Sequence, residues 1–339
     1  MRTINLQYKS DEPVIDLVRD TLDKNKQALI FVNAKRSAEK CAEDISRTLK
    51  KQDAAWTELA DKLLHTLAKP TQQCSRLAAC CKKGIVFHHA GLHPEQKNII
   101  EDAFRNGTIK IICCTPTLAA GLDLPAFRAI IRDVKRYAEY KGLSYIPVLE
   151  YLQMAGRAGR PKYDTYGEAI IVTSTESEAT AITDKYVNGE PEEIYSKLAV
   201  EPVLRTYVLS LIASEVIQTA DEIKGFFHTT FWAHQFKDVD KLDVIIARVL
   251  ETLVKWEFLQ KMQDKYAATL IGRRVAQLYV DPFTAHTFIE ALQRTKVTIL
   301  KPITWIHLVT NTLEMRPLLR VKQKEYDEMS GKIVAETSA

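Results

Sequence analysis

Short apolar runs alternate with amphipathic helical segments over residues 1–190, and this alternation limits the possible fold more than any other feature. Strands separated by helices predict a parallel sheet that is covered by helices on both faces. Ligands bind such sheets at the carboxyl ends of the strands, so the residues that follow each strand are functional candidates. The apolar runs that predict buried strands are 28–32, 85–87, 109–114, 128–132 and 168–173.

The segments between these strands carry helix signals. Asn33 is predicted to cap a helix whose apolar residues, from Ala38 to Leu49, recur at helical spacing. Pro94 is predicted to open the next helix and Gly107 to follow its end. Residues 52–83 interrupt the alternation with helix-like sequence, which predicts a helical insertion without an assigned chemistry.

The second part of the chain predicts an all-helical region with a winged helix at residues 191–282. Three helices and a β-hairpin are the elements of a winged helix. The predicted elements are helices over Val203–Ala213, Thr219–Phe227 and Leu242–Trp256, and strands over Phe258–Met262 and Tyr266–Ile271. Residues 283–339 predict the truncated start of a further helical domain, with helices over 283–294 and 303–313 and a disordered polar tail from Lys322.

Composition excludes few functions. The net charge of +4 permits nucleic-acid binding, but it fits an ordinary soluble protein equally well. The six cysteines lack C-x-x-C spacing, so neither a zinc site nor a disulfide scaffold is predicted, and Cys113 and Cys114 are predicted core thiols. No signal-peptide core or membrane-length apolar run is present. The sequence therefore predicts an intracellular, cytoplasmic protein without a membrane partner.

The strongest chemical signal is the run from Gln153 to Pro161, QMAGRAGRP. Arg157 and Arg160 each follow a glycine, and their spacing predicts two guanidinium groups on one helical face. Small neighbours would let a phosphate approach closely. Such a pair suits the charge on a transferring γ-phosphoryl group. The alternative for an isolated GRxGR pattern is a pair of arginines in surface ion pairs.

This run is accompanied by three others, each at the carboxyl end of a predicted strand. They are Asn33–Arg36, His88–Leu92 and Thr115–Pro125. Their order resembles the second RecA-like domain of superfamily 2 helicases of the Ski2/Hel308 type. The segment from Ser196 to Arg205 is similar to that family's entry into its winged helix. The resemblance covers nearly the whole chain and implies a RecA-like sheet domain followed by the winged helix.

The resemblance implies roles for individual residues. Arg157 and Arg160 correspond to arginine fingers, and Gln153 corresponds to a polar residue at the nucleotide cleft. Gly121 and Asp123 correspond to the ribose-binding motif. The bound cofactor would be ATP with Mg²⁺, shared with a first RecA-like motor domain. Residues implied to contact nucleic acid after the strands are Asn33, His88, His89, Gly91 and Thr115.

Three histidines, His88, His89 and His93, also raise the possibility of a metal site. Adjacent residues on an extended segment point to opposite faces, so His88 and His89 share one ion poorly. No metal is therefore predicted. Hydrogen bonding to backbone phosphate or to an inter-domain surface is the preferred interpretation.

Residues 132–147 combine cations with aromatic residues. Cations suit phosphates and aromatic rings suit base stacking, as a strand-separating element requires. In Hel308-like proteins this place holds a β-hairpin that splits the duplex; the alternative is a solvated connection. The residues predicted to contact nucleic acid here are Lys135, Arg136, Tyr137, Tyr140, Lys141 and Tyr145.

The printed sequence contains neither G-x-x-x-x-G-K-[ST] nor a D-E-x-[HD] stretch that fits a helicase. It therefore predicts the C-terminal part of a split or truncated helicase, whose first RecA-like domain would act in cis or in trans. Whether this chain alone is an enzyme stays open. The resemblance implies 3′–5′ movement on single-stranded or forked nucleic acid, and the winged helix and the Arg205 region favour DNA over RNA. The alternative is a non-enzymatic module, derived from a Ski2-like RNA helicase, that binds nucleic acid or a partner.

Overall fold

The computed structural model describes residues 10–121, 124–138, 142–160, 164–198, 200–294, 301–316, 318 and 321–338. The chain divides into two compact units, residues 1–193 and 194–339.

The first unit is built on a five-stranded parallel sheet, as predicted. The strands are β1 (Ala28–Phe31), β2 (Ile85–His88), β3 (Ile111–Cys114), β4 (Arg128–Ile131) and β7 (Glu168–Ile171). Each strand has four residues, and β1 to β4 are buried along their whole length. The strand order is β2–β3–β1–β4–β7, with every neighbouring pair parallel.

Two further strands, β5 (Lys135–Ala138) and β6 (Gly142–Tyr145), form an antiparallel hairpin after β4. A π-helical turn, Thr183–Val187, follows the last helix of this unit. The helices are α1 (Pro13–Asp23), α2 (Lys35–Thr48), α3 (Ala54–Leu64), α4 (Gln72–Cys81), α5 (Pro94–Arg105), α6 (Thr117–Gly121), α7 (Val148–Ala155) and α8 (Glu176–Ile182).

The predicted helical insertion is part of the core. Its two helices, α3 and α4, bury Leu63 and Leu77 in the same apolar cluster as the sheet. The Trp56 indole N–H donates to the Thr108 carbonyl at 2.8 Å, which ties α3 to the loop before β3. The predicted core thiols Cys113 and Cys114 are fully buried, and burial raises the pKa of each well above its usual value.

The predicted helix cap at Asn33 is wrong. Helix α2 begins at Lys35 after an extended Ala34 that makes no side-chain cap. The Asn33 amide instead donates to the carbonyl of Lys135. A tertiary hydrogen bond has replaced the local one that the residue type favours at a helix start.

The second unit contains the predicted helices and hairpin of a winged helix. The helices are α9 (Glu201–Ala213), α10 (Ala220–His228), α11 (Phe231–Phe236), α12 (Val239–Lys255), α13 (Leu270–Leu278), α14 (Pro282–Arg294), α15 (Pro302–Thr310) and α16 (Tyr326–Ser338). Strands β8 (Leu259–Met262) and β9 (Lys265–Ala268) form the antiparallel wing. Thr219 and Glu222 form a capping box at α10.

Two boundaries in this unit differ from the prediction. The strand predicted to reach Ile271 ends at Ala268, because the Thr269 hydroxyl accepts from Gly272 N at 3.0 Å and caps α13. The tail after Lys322, predicted to be disordered, contains α16. No helix within the described ranges is long and apolar enough to cross a membrane.

Candidate nucleotide and nucleic-acid site

One edge of the parallel sheet collects most of the predicted nucleic-acid residues. Asn33 follows β1, His89 follows β2 and Thr115 follows β3, and all three strands end at the same edge. The β5–β6 hairpin rises from this edge after β4. The sheet order therefore brings together segments that are about 80 residues apart in the chain.

His88 and His89 are both buried, with 5% and 1% of their surface exposed. His88 Nε2 lies 3.1 Å from Glu101 Oε1, and His89 Nε2 lies 3.2 Å from Glu39 Oε1. Burial lowers the pKa of both imidazoles, although the neighbouring carboxylates act in the opposite direction. Both rings are therefore neutral at neutral pH.

His89 fixes the turn that contains Gly91. Its Nδ1 accepts a hydrogen bond from the Gly91 amide at 3.1 Å, so the ring proton resides on Nε2 and points to Glu39. Both ring nitrogens of His89 are thus used inside the domain. The predicted contact of this segment with nucleic acid stays a prediction.

Thr115 lies just beyond β3 and is nearly buried. Its hydroxyl is 2.9 Å from that of Thr117, the first residue of α6. Gly121 is the last residue of α6. The predicted ribose-binding residue Asp123 lies outside the described residues, as do Tyr140 and Lys141.

The stretch predicted as a strand-separating element forms a regular hairpin. Lys135 pairs with Tyr145 across the strands, and its ammonium lies 4.7 Å from the centre of the tyrosine ring. Tyr137 pairs with Leu143 farther along the hairpin. Tyr137 is 85% exposed and Leu143 is 57% exposed, so this pair is the open apolar part of the hairpin.

The base of the hairpin is held by contacts to three other segments. Asn33 Nδ2 donates to the Lys135 carbonyl at 2.8 Å. Lys135 Nζ lies 3.1 Å from Glu178 of α8, and Arg136 lies 2.9 Å from Glu150 of α7. Lys135, Arg136 and Tyr145 are therefore anchoring residues in this structure, whereas Tyr137 points outward.

Arg157 and Arg160 do not share a helical face, which corrects the prediction. Helix α7 ends at Ala155, and Ala158 then pairs with Ala126 in an isolated parallel bridge. The Arg157 guanidinium donates to the Ala119 carbonyl in α6. Arg160 donates to Asp164 at 2.8 Å and to the side-chain oxygen of Gln27.

Arg160 and the hairpin lie at different edges of the sheet. Gln27 immediately precedes β1, so its partner Arg160 lies at the amino-terminal edge. Helix α7 brings the chain there, because it returns from the carboxyl edge to the start of β7. Gln153 is exposed on this helix. Arg160 is thus separated within the unit from the segments that follow β1, β2 and β3.

The glycines near the arginines serve chain packing. Gly159 has a φ of +97°, and its amide donates to Ala126 O. A Cβ atom on Gly167 would lie 2.2 Å from Gly159 N, a distance that no side chain permits. The backbones of Gly159 and Gly167 therefore touch, which leaves no room for a side chain at Gly167.

Asp164 is a partner of Arg160 that the sequence analysis missed. Its side chain is 1% exposed, and it bonds to Arg160 and, at 2.6 Å, to Lys26. Burial alone would raise the pKa of Asp164, but the hydrogen bonds from Arg160 and Lys26 outweigh this effect and lower it. The available signal was its position four residues after Arg160, a spacing that favours ion pairs in a helical turn.

Arg205, whose region favoured DNA in the sequence analysis, is buried in the second unit. Its Nε and Nη2 atoms each lie 2.5 Å from an oxygen of Asp281. Both side chains are 9% exposed. This bidentate pair joins α9 to the start of α14, so Arg205 has a structural contact rather than one to nucleic acid.

Among the residues that the structure describes, no group of three His, Cys, Asp or Glu side chains could hold a metal ion.

Comparison with known proteins supports the helicase resemblance. The model of the helicase conserved C-terminal domain matches residues 11–162, and that of a helix-turn-helix domain matches residues 167–260. The ATP-dependent DNA helicase Hel308 of Methanocella arvoryzae is 40% identical over 325 residues, which cover 94% of this chain and 43% of the relative. Hel308 of Pyrococcus abyssi is 41% identical over 312 residues, which cover 91% of this chain and 43% of the relative.

The chain spans less than half the length of these relatives. Its sheet, its helix-turn-helix region and the identity over most of its residues all fit the same part of that family. The chain therefore fits the second RecA-like domain and winged helix of a Hel308-type helicase.

Proposed function

We propose that this chain is the C-terminal motor half of an ATP-dependent DNA helicase that moves 3′ to 5′ on a single strand. The observation that carries the proposal is the row of segments after β1, β2 and β3, with a hairpin rising beside it from the same sheet edge. The names of the relatives specify DNA, which favours DNA over RNA as the substrate of this chain.

In this proposal ATP and Mg²⁺ bind between this unit and a first RecA-like domain, in cis or in trans. Arg157 and Arg160 supply positive charge to the transferring phosphoryl group, which is the largest contribution that a second domain can make to such a reaction. Asp164 and Gln27 act as positioning residues, since they hold the Arg160 guanidinium in one orientation. Gln153, Gly121 and Asp123 are the proposed nucleotide contacts.

The hairpin separates the strands in this proposal. Opening one base-pair step costs about 1.4 kcal/mol on average. Stacking one base on an aromatic side chain is worth about 1–3 kcal/mol, so one outward-facing ring offsets one melted pair. Tyr137 is the leading candidate, because Lys135, Arg136 and Tyr145 are engaged at the hairpin base.

A second candidate is a non-enzymatic module, derived from a Ski2-like RNA helicase, that binds RNA or a protein partner. The observation in its favour is that Arg157 and Arg160 both donate to groups inside the unit, the Ala119 carbonyl and the Asp164 carboxylate. The two candidates differ in the nucleic acid that binds, DNA or RNA, and in whether ATP is hydrolysed when a first RecA-like domain is present.

Binding of labelled single-stranded DNA and RNA of equal length distinguishes these candidates. The helicase proposal expects weak binding to DNA, with a log–log salt slope of about −0.7 for each phosphate contact. A clear preference for RNA, or an affinity that does not change between low and moderate salt, would contradict it.

A further inference from the structure

A basic cavity lies at the amino-terminal edge of the sheet, the edge opposite the hairpin. Its volume is about 680 Å³. Its walls are the loops before β1, β2 and β3, the segment after α2 and the start of α3. None of the residues predicted to contact nucleic acid lines this cavity. The cavity is therefore separate from the segments that follow β1, β2 and β3 at the carboxyl edge of the sheet.

The charges around the cavity are predominantly positive. Arg19 and four lysines line it, against the carboxylates of Asp23 and Asp53. Asp53 is occupied as the cap of α3, where it accepts from Ala55 N at 2.9 Å. Within the part of the chain that the structure describes, none of the four lysines forms an ion pair with a carboxylate. These lysines are Lys50, Lys51, Lys83 and Lys110.

Lys110 shows that the positive charge is concentrated. It is half-buried directly before β3. Burial and the charges of Arg160 and Lys51 all lower the pKa of its ammonium. Holding like charges together in a partly buried place is unfavourable, and a bound anion would remove this cost.

Trp56 forms one wall of the cavity and is held in place by two contacts. The Trp56 indole donates to the Thr108 carbonyl at 2.8 Å and packs directly on Gly84, where a Cβ atom would lie 2.7 Å from the ring. Trp56 stays partly exposed. An aromatic ring beside several lysines is the combination by which proteins hold a nucleic-acid strand without reading its sequence.

We propose that this cavity is a second nucleic-acid contact, which binds the phosphodiester backbone of a strand at the edge of the sheet opposite the hairpin. The inference rests on the proposed nucleic-acid function but uses residues to which that proposal assigns no role. A free nucleotide is a poorer occupant. The lysines come from three separate loops as point charges, and the helix start at the cavity is already capped by Asp53.

The test compares two double charge reversals in the intact chain. Lys50→Glu/Lys51→Glu changes two exposed lysines of the cavity, and Lys40→Glu/Lys69→Glu changes two exposed lysines elsewhere in the same unit. Both variants lower the net charge by the same amount, and all four positions are exposed, so circular dichroism should show both folded. Binding of labelled single-stranded DNA is measured by anisotropy over a range of salt concentrations, with inorganic tripolyphosphate as a competitor.

The cavity variant is expected to bind DNA at least tenfold more weakly than the control variant. Its log–log salt slope is expected to be smaller by about 1.4, since two phosphate contacts are lost. Equal affinities and slopes for the two variants would overturn the inference. The proposed contact of nucleic acid with the opposite edge, at the segments after β1, β2 and β3, would remain intact. Tripolyphosphate binding that needs Lys50 and Lys51, without an effect on DNA, would overturn it in favour of a small-anion site. If neither variant nor the native chain bound DNA at all, both proposals would fail.

Discussion

Asn33 donates its side-chain amide to the main-chain carbonyl of Lys135 at 2.8 Å, and so joins the loop after β1 to the base of the hairpin. The backbone N–H of Asn33 also donates to the Asp133 carboxylate at 3.2 Å. The hairpin is consequently fixed to the same sheet edge that carries the predicted strand contacts. Its outward pair, Tyr137 and Leu143, stands above this anchored base.

Tyr137→Ala is expected to impair unwinding while sparing ATP hydrolysis, in an enzyme reconstituted with a first RecA-like domain. The ring is 85% exposed and makes no contribution to the anchored base, so its loss should cost the fold little. Unwinding of a 3′-tailed duplex should fall by about tenfold, the equivalent of one lost stacking interaction of about 1.4 kcal/mol. Tyr207→Ala, which removes an exposed tyrosine of the second unit, is the control. A Tyr137 variant that unwinds like the control would make the hairpin a simple connection.

The free energy of unfolding of the chain is expected to decrease as the pH is lowered, because of His88 and His89. Burial lowers the pKa of both imidazoles below the ordinary value of 6.5. The unfolded chain therefore takes up protons below about pH 6.5 that the folded chain does not bind, and the free energy of unfolding declines as the pH falls through this value. Urea titrations between about pH 7.5 and 5.5 measure this decline.

His88→Gln should make that decline shallower, because the group that titrates only in the unfolded chain has been removed. The matched control is His65→Gln, which removes an imidazole that is 62% exposed. Identical pH dependence in His88→Gln and His65→Gln would show that the buried histidine does not contribute.

Arg205→Met is expected to destabilise the second unit by about 3–5 kcal/mol, because it leaves the buried Asp281 carboxylate without its cationic partner. The double variant Arg205→Met/Asp281→Leu removes both charges and should recover most of that loss. Urea unfolding of the three proteins measures the effect. A double variant that is as unstable as Arg205→Met would mean that packing of the guanidinium over Phe283, 5.4 Å away, matters more than the charge pair.

The sheet could be predicted because its strands are short, mostly apolar and separated by helices, a pattern that favours buried parallel strands. Residues with two competing partners were predicted less well. Asn33 suits a helix start, yet a carbonyl 102 positions away takes its amide. Likewise Leu270 and Ile271 continue an apolar strand pattern, but the Thr269 cap starts a helix there.

The arrangement of the candidate site also depended on contacts that spacing alone does not reveal. The three-residue interval between Arg157 and Arg160 suits a helix, but helix α7 ends before both of them. The bridge between Ala126 and Ala158 then sends Arg160 toward Gln27. The buried His88 and His89 have hydrogen-bonding carboxylate partners that are 13 and 50 positions away in the chain, and spacing does not reveal these partners.

The central claim is that Arg157 and Arg160 complete an ATP site whose other half is a first RecA-like domain. DNA-stimulated ATP hydrolysis by this chain mixed with, or joined to, the first RecA-like domain of a Hel308 relative tests it most directly. The account predicts no turnover by the chain alone, and turnover when both parts are present.

Arg157→Ala should then lower the rate on the order of 10³-fold or more. Arg157→Lys should rescue poorly, because an ammonium lacks the planar fork, and Arg47→Ala, which removes a 73% exposed arginine, should be without effect. Turnover by the purified chain alone, or a normal rate in Arg157→Ala, would contradict the account.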